Sequence, residues 1–184
     1  MRQAREAWIQ AQPLLDTKSL KFIDETGMTA QMTRRYGRSS KGKRCVASAP
    51  QGHRQTTTFI AALGCEAISA PLVMDGAMDG RTFKAYVEQF LCPTLRPGDL
   101  IVADNLSCHK VAGVKEAIQA VGASLLYLPP YSPDLNPIEK VFSKLKTLLR
   151  GLAPRTKNSL WTNVGSLLDS FSSQECKNYF TSCG

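Results

Sequence analysis

The chain has 184 residues, 43% of them hydrophobic, which fits one compact domain with a buried core. No apolar run approaches the roughly 20 residues of a membrane helix, and the polar start of the chain lacks the apolar part of an export signal. We therefore expect a cytoplasmic protein without a membrane partner. The six cysteines contain no CxxC pair, which argues against a disulfide framework or a zinc site and favours reduced thiols.

The net charge of +8 is unevenly distributed. Residues 31–54 contain seven basic residues and no acidic one, and residues 140–157 contain six basic residues and no acidic one. Such segments fit a polyanion such as nucleic acid, although two solvated surfaces would produce the same pattern.

In the first half of the chain, the sequence predicts a short helix or tail over residues 1–19, anchored by Trp8, and then three strands. The apolar run at 20–24 predicts a strand that ends on Asp24. A hairpin region rich in Gly, Ser and Lys is expected around 36–43. β-Branched and apolar residues predict an antiparallel pair of strands over 56–63 and 67–74.

The second half alternates helices and strands. Apolar spacing predicts a helix over 80–91 that Pro93 stops, and a helix over 111–121. Apolar runs predict strands at 100–104, which ends in Asp104, and at 124–128, followed by a rigid proline loop at 129–133.

The last part of the chain is predicted to be helical. Asn136-Pro137 has the pattern of a helix start, with Asn136 as the cap. The apolar stripe of this helix is Ile138, Phe142, Leu145 and Leu149, and Gly151 with Pro154 should end it. Two more helices are expected near 159–170 and 172–180. The whole order indicates a mixed sheet with helices packed on it.

Three acidic residues form a candidate metal site. If the strands that end in Asp24 and Asp104 are neighbours, about 4.8 Å apart, two carboxylates meet at one sheet edge and repel unless a proton or cation lies between them. Glu139 follows Asp104 after 34 intervening residues, enough for a helix, a strand and a loop to return to that edge. Oxygen ligands favour a hard ion such as Mg²⁺, and a two-metal site suits phosphodiester chemistry.

Each acid also has a purely local interpretation. Asp24 could cap a turn with Thr26-Gly27, and Asp104-Asn105 could form an Asx turn. Glu139 could complete a capping box with Asn136. His109 could support the site or lie on the surface.

Three blocks resemble the signatures of DDE transposases: FIDETG at 22–27, VADN at 102–105 with HK at 109–110, and LPPYSPDLNPIE at 128–139. The chain resembles most closely the bacterial insertion-sequence branch of the mariner-like superfamily (insertion sequence 630 type), from about Leu20 to the C-terminus. The resemblance implies a ribonuclease-H-like fold for residues 20–184, an α/β fold with a mixed five-stranded sheet. It also implies that Asp24, Asp104 and Glu139 bind Mg²⁺ or Mn²⁺, supported by Asn105, His109 and Asn136.

The implied activity is DNA strand cleavage and strand transfer in transposition, with transposon ends and target DNA as partners and a homodimer as a further expectation. The basic residues expected to hold DNA phosphates are Arg34, Arg35, Arg38, Lys41, Lys43, Arg44, Lys144, Lys146 and Arg150. Family members resembling this chain carry helix-turn-helix modules before the catalytic domain, and we expect none in residues 1–19. Two alternatives remain open, namely a nuclease that cuts without joining and an inactive DNA-binding remnant.

Overall fold

A mixed five-stranded sheet forms the centre of the computed structural model, which describes residues 2–34, 36–48 and 55–184. The strand order is β3-β2-β1-β4-β5, with β1 antiparallel to β2 and parallel to β4. β2 is antiparallel to β3, and β4 is parallel to β5. The strands are β1 (Leu20–Thr29), β2 (Thr56–Gly64), β3 (Ile68–Asp75), β4 (Leu100–Ala103) and β5 (Ser124–Tyr127). The predicted antiparallel pair and mixed sheet are therefore confirmed.

Helices cover both faces of the sheet, as the sequence predicts. They are α1 (Arg2–Ala11), α2 (Gly80–Tyr86), α3 (Val114–Ala120), α4 (Ile138–Leu152), α5 (Lys157–Leu168) and α6 (Ser173–Thr181). One hydrophobic cluster joins α1, α4, α5 and α6 to the sheet, and a second joins α2 and α3 to its other face. Within the described ranges, no helix is long and apolar enough to cross a membrane. All six cysteines belong to these ranges and are free thiols.

β1 extends beyond its predicted end. The prediction that the strand stops at Asp24 is wrong, because residues up to Thr29 continue to pair with β2. Only the parallel partner stops: the last pair between β1 and β4 is Ile23 with Ala103. Asp24 and Asp104 therefore follow the final pair on adjacent strands, at the point where β4 leaves the sheet.

The connection between β1 and β2 contains no strand in its described parts, residues 30–34, 36–48 and 55. The expected hairpin around 36–43 is reduced to one turn, in which the Lys43 amide donates to the Ser40 carbonyl at 2.9 Å. This segment offers no alternating apolar residues to bury, so it has no sheet face to pack. Arg35 and residues 49–54, which include Arg54, lie outside the described residues.

Two predicted helices differ in their ends. The helix predicted over 80–91 is α2 followed by a wider turn at Val87–Leu91 and a tighter turn at Cys92–Thr94, so Pro93 does end it. The helix predicted over 111–121 begins only at Val114, after a separate 3₁₀ turn at Ser107–Lys110.

The α4 helix is the central element of the larger cluster. Its four predicted stripe residues are all buried. The helix ends between Gly151 and Pro154 as predicted, one residue past Gly151 at Leu152, where Ala153 takes a left-handed conformation with φ 48°. The ring of Phe142 packs edge-to-face on Phe59 of β2, with centroids 6.0 Å apart.

The α1 helix packs on the same cluster through Trp8. Its Arg5 guanidinium donates two hydrogen bonds to the Asp134 carboxylate, at 2.9 and 2.6 Å. Since Asp134 follows the proline loop directly, α1 contacts both the core and the loop that leads into α4.

The packing of Phe142 predicts its contribution to stability. Phe142→Ala should lower the free energy of unfolding by about 3–5 kcal/mol, because it removes a fully buried ring and leaves a cavity. Lys140→Ala, an exposed position on the same helix, is the control and should change it by less than about 0.5 kcal/mol. Urea unfolding measures both, and equal effects would contradict the assignment of Phe142 to the core.

Candidate active site

A cleft of about 340 Å³ opens where β4 leaves the sheet. Its lining includes Asp24, Asp104 and Glu139, together with Asn136 and the proline loop 129–133. The structure thus brings all three predicted acids to one cavity, from a strand, a strand end and a helix start.

Asp24 is buried, with only 7% of its surface exposed. Its Oδ1 accepts a hydrogen bond from the Glu25 amide at 2.8 Å, and its Oδ2 accepts one from Nδ2 of Asn136, also at 2.8 Å. Burial raises the pKa of Asp24 to about 8, and the negative charge of Asp104 adds to the shift. A cation beside this carboxylate would favour its ionised form. The alternative of a turn at 24–27 is excluded, since these residues are in β1.

Asn136 does not cap α4, which corrects the sequence prediction. The residue before the helix is Pro137, without a side-chain cap, and the Asn136 amide group turns towards Asp24 instead. The capping-box interpretation of Glu139 loses its partner for the same reason. Glu139 is exposed in the first turn of α4 and lines the cleft. The Oδ1 atom of Asn136 is buried and has no hydrogen-bond partner among the described residues.

Asp104 is held by two groups that follow it in the chain. Its Oδ1 accepts a hydrogen bond from the Leu106 amide at 3.1 Å, so the Asx turn expected as an alternative is present. The same oxygen lies 2.5 Å from Nδ1 of His109. The local turn and the cleft position are therefore compatible, because the turn engages one oxygen only.

His109 is completely buried, so its surface interpretation is wrong. Its Nε2 lies 2.9 Å from Oε2 of Glu25, and its ring packs on Phe83 with centroids 4.2 Å apart. Burial by itself lowers the pKa of His109, but the carboxylates of Asp104 and Glu25 outweigh it and raise the pKa to about 10.

Glu25 is the member of this group that the sequence analysis missed. The available signal was strand alternation: Asp24 and Glu25 are neighbours in β1, so they project to opposite faces of the sheet. The remaining predicted supporting residue, Asn105, lines the cleft and accepts a hydrogen bond from the Lys110 ammonium group.

Two of the predicted DNA-contacting residues lie along α4 from Glu139. Burial lowers the pKa of Lys146, while Glu139 and Asp24 raise it and Arg150 lowers it, so these charges share one region. Arg150 lines a second groove of about 660 Å³ with Arg34 and the exposed Tyr36. A Cβ atom on Gly151 would lie 3.4 Å from Nη2 of Arg34, which shows how closely this guanidinium approaches α4.

The other basic residues differ in position. Lys144 donates to both carboxylate oxygens of Glu175, at 2.8 and 2.7 Å, and its ammonium lies 4.4 Å from the centroid of the Phe171 ring. It therefore ties α4 to the C-terminal helix, and its contact with DNA stays a prediction. Like Arg34, the predicted residues Arg38, Lys41, Lys43 and Arg44 lie exposed on the described part of the β1–β2 connection.

The donor set of the cleft fits a hard divalent cation. It includes three carboxylates and the amide oxygen of Asn136, and all four offer oxygen atoms. Mg²⁺ and Mn²⁺ prefer such oxygen ligands. A cation there would also compensate the ionised form of Asp24.

Comparison with known proteins identifies the family. The family model described as DDE superfamily endonuclease matches residues 19–160. The chain belongs to the DDE endonuclease superfamily. No curated protein matches it.

Solved structures of Mos1 transposase share its fold. The mariner Mos1 paired-end complex with Mg aligns with a TM-score of 0.80 at 13% identity, over 98% of this chain and 57% of that one. A pre-cleavage Mos1 transpososome aligns with 0.79 at 11% identity over the same shares. The Mos1 catalytic domain alone aligns with 0.72 at 10% identity, over 98% and 84%. The predicted ribonuclease-H-like fold is confirmed, and the chain spans 57% of the Mos1 chains in those two complexes.

The raised pKa of Asp24 predicts how stability depends on pH. The folded state holds this proton more tightly than the unfolded state, whose pKa is about 3.9. The resulting stabilisation is complete below about pH 4 and is lost as the pH rises through about 8. Asp24→Asn removes this loss, so in chelator its melting temperature should rise relative to the wild type between about pH 4 and pH 8. A constant difference between the two proteins would contradict the shift.

Proposed function

We propose that this chain is the catalytic part of a DNA transposase from the bacterial insertion-sequence branch of the mariner-like superfamily. Asp24, Asp104 and Glu139 would hold Mg²⁺ or Mn²⁺ for strand cleavage and strand transfer. The observation that carries the proposal is that these three acids line one cleft in a DDE-superfamily fold. Solved structures of Mos1 transposase include a paired-end complex with Mg and a strand transfer complex, which supports the same metal and reaction here.

The residues of the cleft would have different roles in the reaction. Bound divalent cations supply the positive charge that makes an attacking oxygen nucleophilic and stabilises the leaving oxygen at a phosphodiester. Asp24 and Asp104 would hold them from the sheet, and Glu139 from the first turn of α4. Asn136 orients Asp24, and the proline loop forms a stiff wall that limits where a DNA strand can enter.

DNA would follow α4 away from the cleft. Lys146 and Arg150 come seven and eleven residues after Glu139, and both spacings return to about the same side of a helix with 3.6 residues per turn. Arg34 approaches the far end of that side, beside Gly151. We propose that these three residues bind successive phosphates of transposon-end or target DNA, on one protomer of a homodimer.

The carboxylates should be essential individually. Asp24→Asn, Asp104→Asn and Glu139→Gln should each abolish Mg²⁺-dependent nicking of a duplex, because each removes a charged ligand from a small donor set. Glu66→Gln, an exposed acid at the opposite end of β1 and β2, is the matched control and should nick at the wild-type rate. Wild-type nicking by all three cleft variants would refute the assignment.

The covalent joining of DNA ends distinguishes a transposase from a nuclease that only cuts. Pre-cleaved element ends incubated with plasmid and Mn²⁺ should yield covalently joined products if the chain performs strand transfer. Nicked plasmid without joined ends would identify a nuclease that only cuts. A protein that binds DNA but neither cuts nor joins would be the inactive remnant.

DNA binding should depend on Lys146 and Arg150 but not on Lys144. The double variant Lys146→Ala/Arg150→Ala should weaken binding to any duplex and reduce the slope of log K against log salt by about 1.8, since each phosphate contact contributes about 0.9. Lys144→Ala also removes a positive charge from α4. Because the Lys144 ammonium is hydrogen-bonded to Glu175, this variant should not change the slope. Gel-shift titrations at two salt concentrations measure this, and equal slopes for both variants would contradict the proposed path.

A further inference from the structure

A buried chain of contacts leads from β1 to the cleft. Oε2 of Glu25 lies 2.9 Å from Nε2 of His109, and Nδ1 of the same ring lies 2.5 Å from Oδ1 of Asp104. Both ring nitrogens thus face carboxylates from different elements. Since Glu25 and Asp24 project to opposite faces of the sheet, this chain reaches Asp104 from the face opposite to Asn136.

The imidazole in this chain has little freedom. The His109 side chain is completely buried, and the Phe83 ring covers it at 4.2 Å between centroids. The hydroxyl of Tyr127 donates to the His109 carbonyl at 3.0 Å and fixes the backbone. With the ring held by packing, its position decides where Oδ1 of Asp104 can lie.

We propose that Glu25 and His109 are positioning residues, which fix Asp104 so that its other oxygen, Oδ2, faces the cation in the cleft. This inference rests on the proposed function, since it concerns the metal-bound form of the same cleft. Within the described residues, the hydrogen bond from the Leu106 amide and the ion-pair contact from Nδ1 of His109 both go to Oδ1 of Asp104. The carboxylate is thereby oriented through one oxygen, as ligands commonly are by the groups behind them.

A purely structural role would explain this arrangement poorly. A buried ionic group contributes little net stability compared with apolar side chains of similar volume. Here the ionic chain passes through a ring that packs on Phe83, and it ends on an acid that lines the cleft. A role in orienting Asp104 would account for the buried charges of Glu25 and His109.

Two substitutions of His109 separate orientation from packing. His109→Asn places an amide nitrogen near the position of Nδ1 and keeps a donor for Asp104. His109→Gln places it near Nε2, facing Glu25, and leaves Asp104 without that donor. Both remove the ring from Phe83, so their melting temperatures should fall together. Their affinities for Mn²⁺, measured by calorimetry on the full chain, should differ: His109→Asn within about threefold of wild type, His109→Gln weaker by about 10- to 100-fold.

Glu25 is tested by a double-mutant cycle. Glu25→Gln should weaken Mn²⁺ binding in the wild-type background but add little to His109→Gln, where the route to Asp104 is already broken. If Glu25 acted only through its charge, its effect would be the same in both backgrounds. Glu66→Gln, at the opposite end of β1 and β2 from the cleft, controls for the general loss of one negative charge.

Each outcome has one meaning. Equal Mn²⁺ affinities for His109→Asn and His109→Gln, or an additive effect of Glu25→Gln, would overturn the inference. Glu25→Gln removes no buried ring, so wild-type affinity for this variant alone would also overturn it, even if neither His109 variant folds. Failure of the proposed function is distinct: in that case Asp104→Asn would bind Mn²⁺ as the wild-type chain does.

Discussion

The electrostatic cost of placing acids where β4 leaves the sheet governs the organisation of this molecule. Asp24 is buried beside Asp104, and burial together with this neighbouring charge raises its pKa to about 8. Two carboxylates so close destabilise each other unless hydrogen-bond donors or cations compensate them. Asn136 donates to Asp24 from the α4 side, and His109 contacts Asp104 from the α2–α3 side. Both helical layers therefore contribute to holding these two acids.

The strand β1 makes this two-sided support possible. Its alternation directs Asp24 towards α4 and Glu25 towards His109, between the two hydrophobic clusters. The apolar neighbours Phe22 and Ile23 follow the same alternation, each packed in a different cluster. A one-residue shift of register would exchange the two faces and place Asp24 away from Asn136. The packing of both cores therefore fixes the site as firmly as the local hydrogen bonds do.

Much of this could be predicted from the sequence, and the errors have physical causes. The apolar run before Asp104 belongs to a strand between two parallel neighbours, and such runs are readily recognised. The end of β1 was misplaced because pairing with β2 outlasts pairing with β4, which no local pattern reveals. Asn136 has the pattern of a helix cap, but a buried carboxylate from 112 residues away takes its amide group. Long-range contacts of this kind override local preferences.

The basic residues of α4 show what helix geometry adds to charge counting. At 3.6 residues per turn, Lys146 and Arg150 lie within about 20° of Glu139 around the helix axis, whereas Lys144 lies about 140° away. The absence of acidic residues from 140–157 does not by itself distinguish these three basic residues. The structure separates them: Lys144 pairs with Glu175 of α6, while Lys146 shares the electrostatic environment of Glu139 and Asp24. The α4 helix thus buries an apolar stripe and places Glu139 in the cleft at its first turn. Lys146 and Arg150 lie on the same side of the helix as Glu139, farther from the cleft. The same spacing rule would identify the corresponding cations in any relative whose third acid opens such a helix.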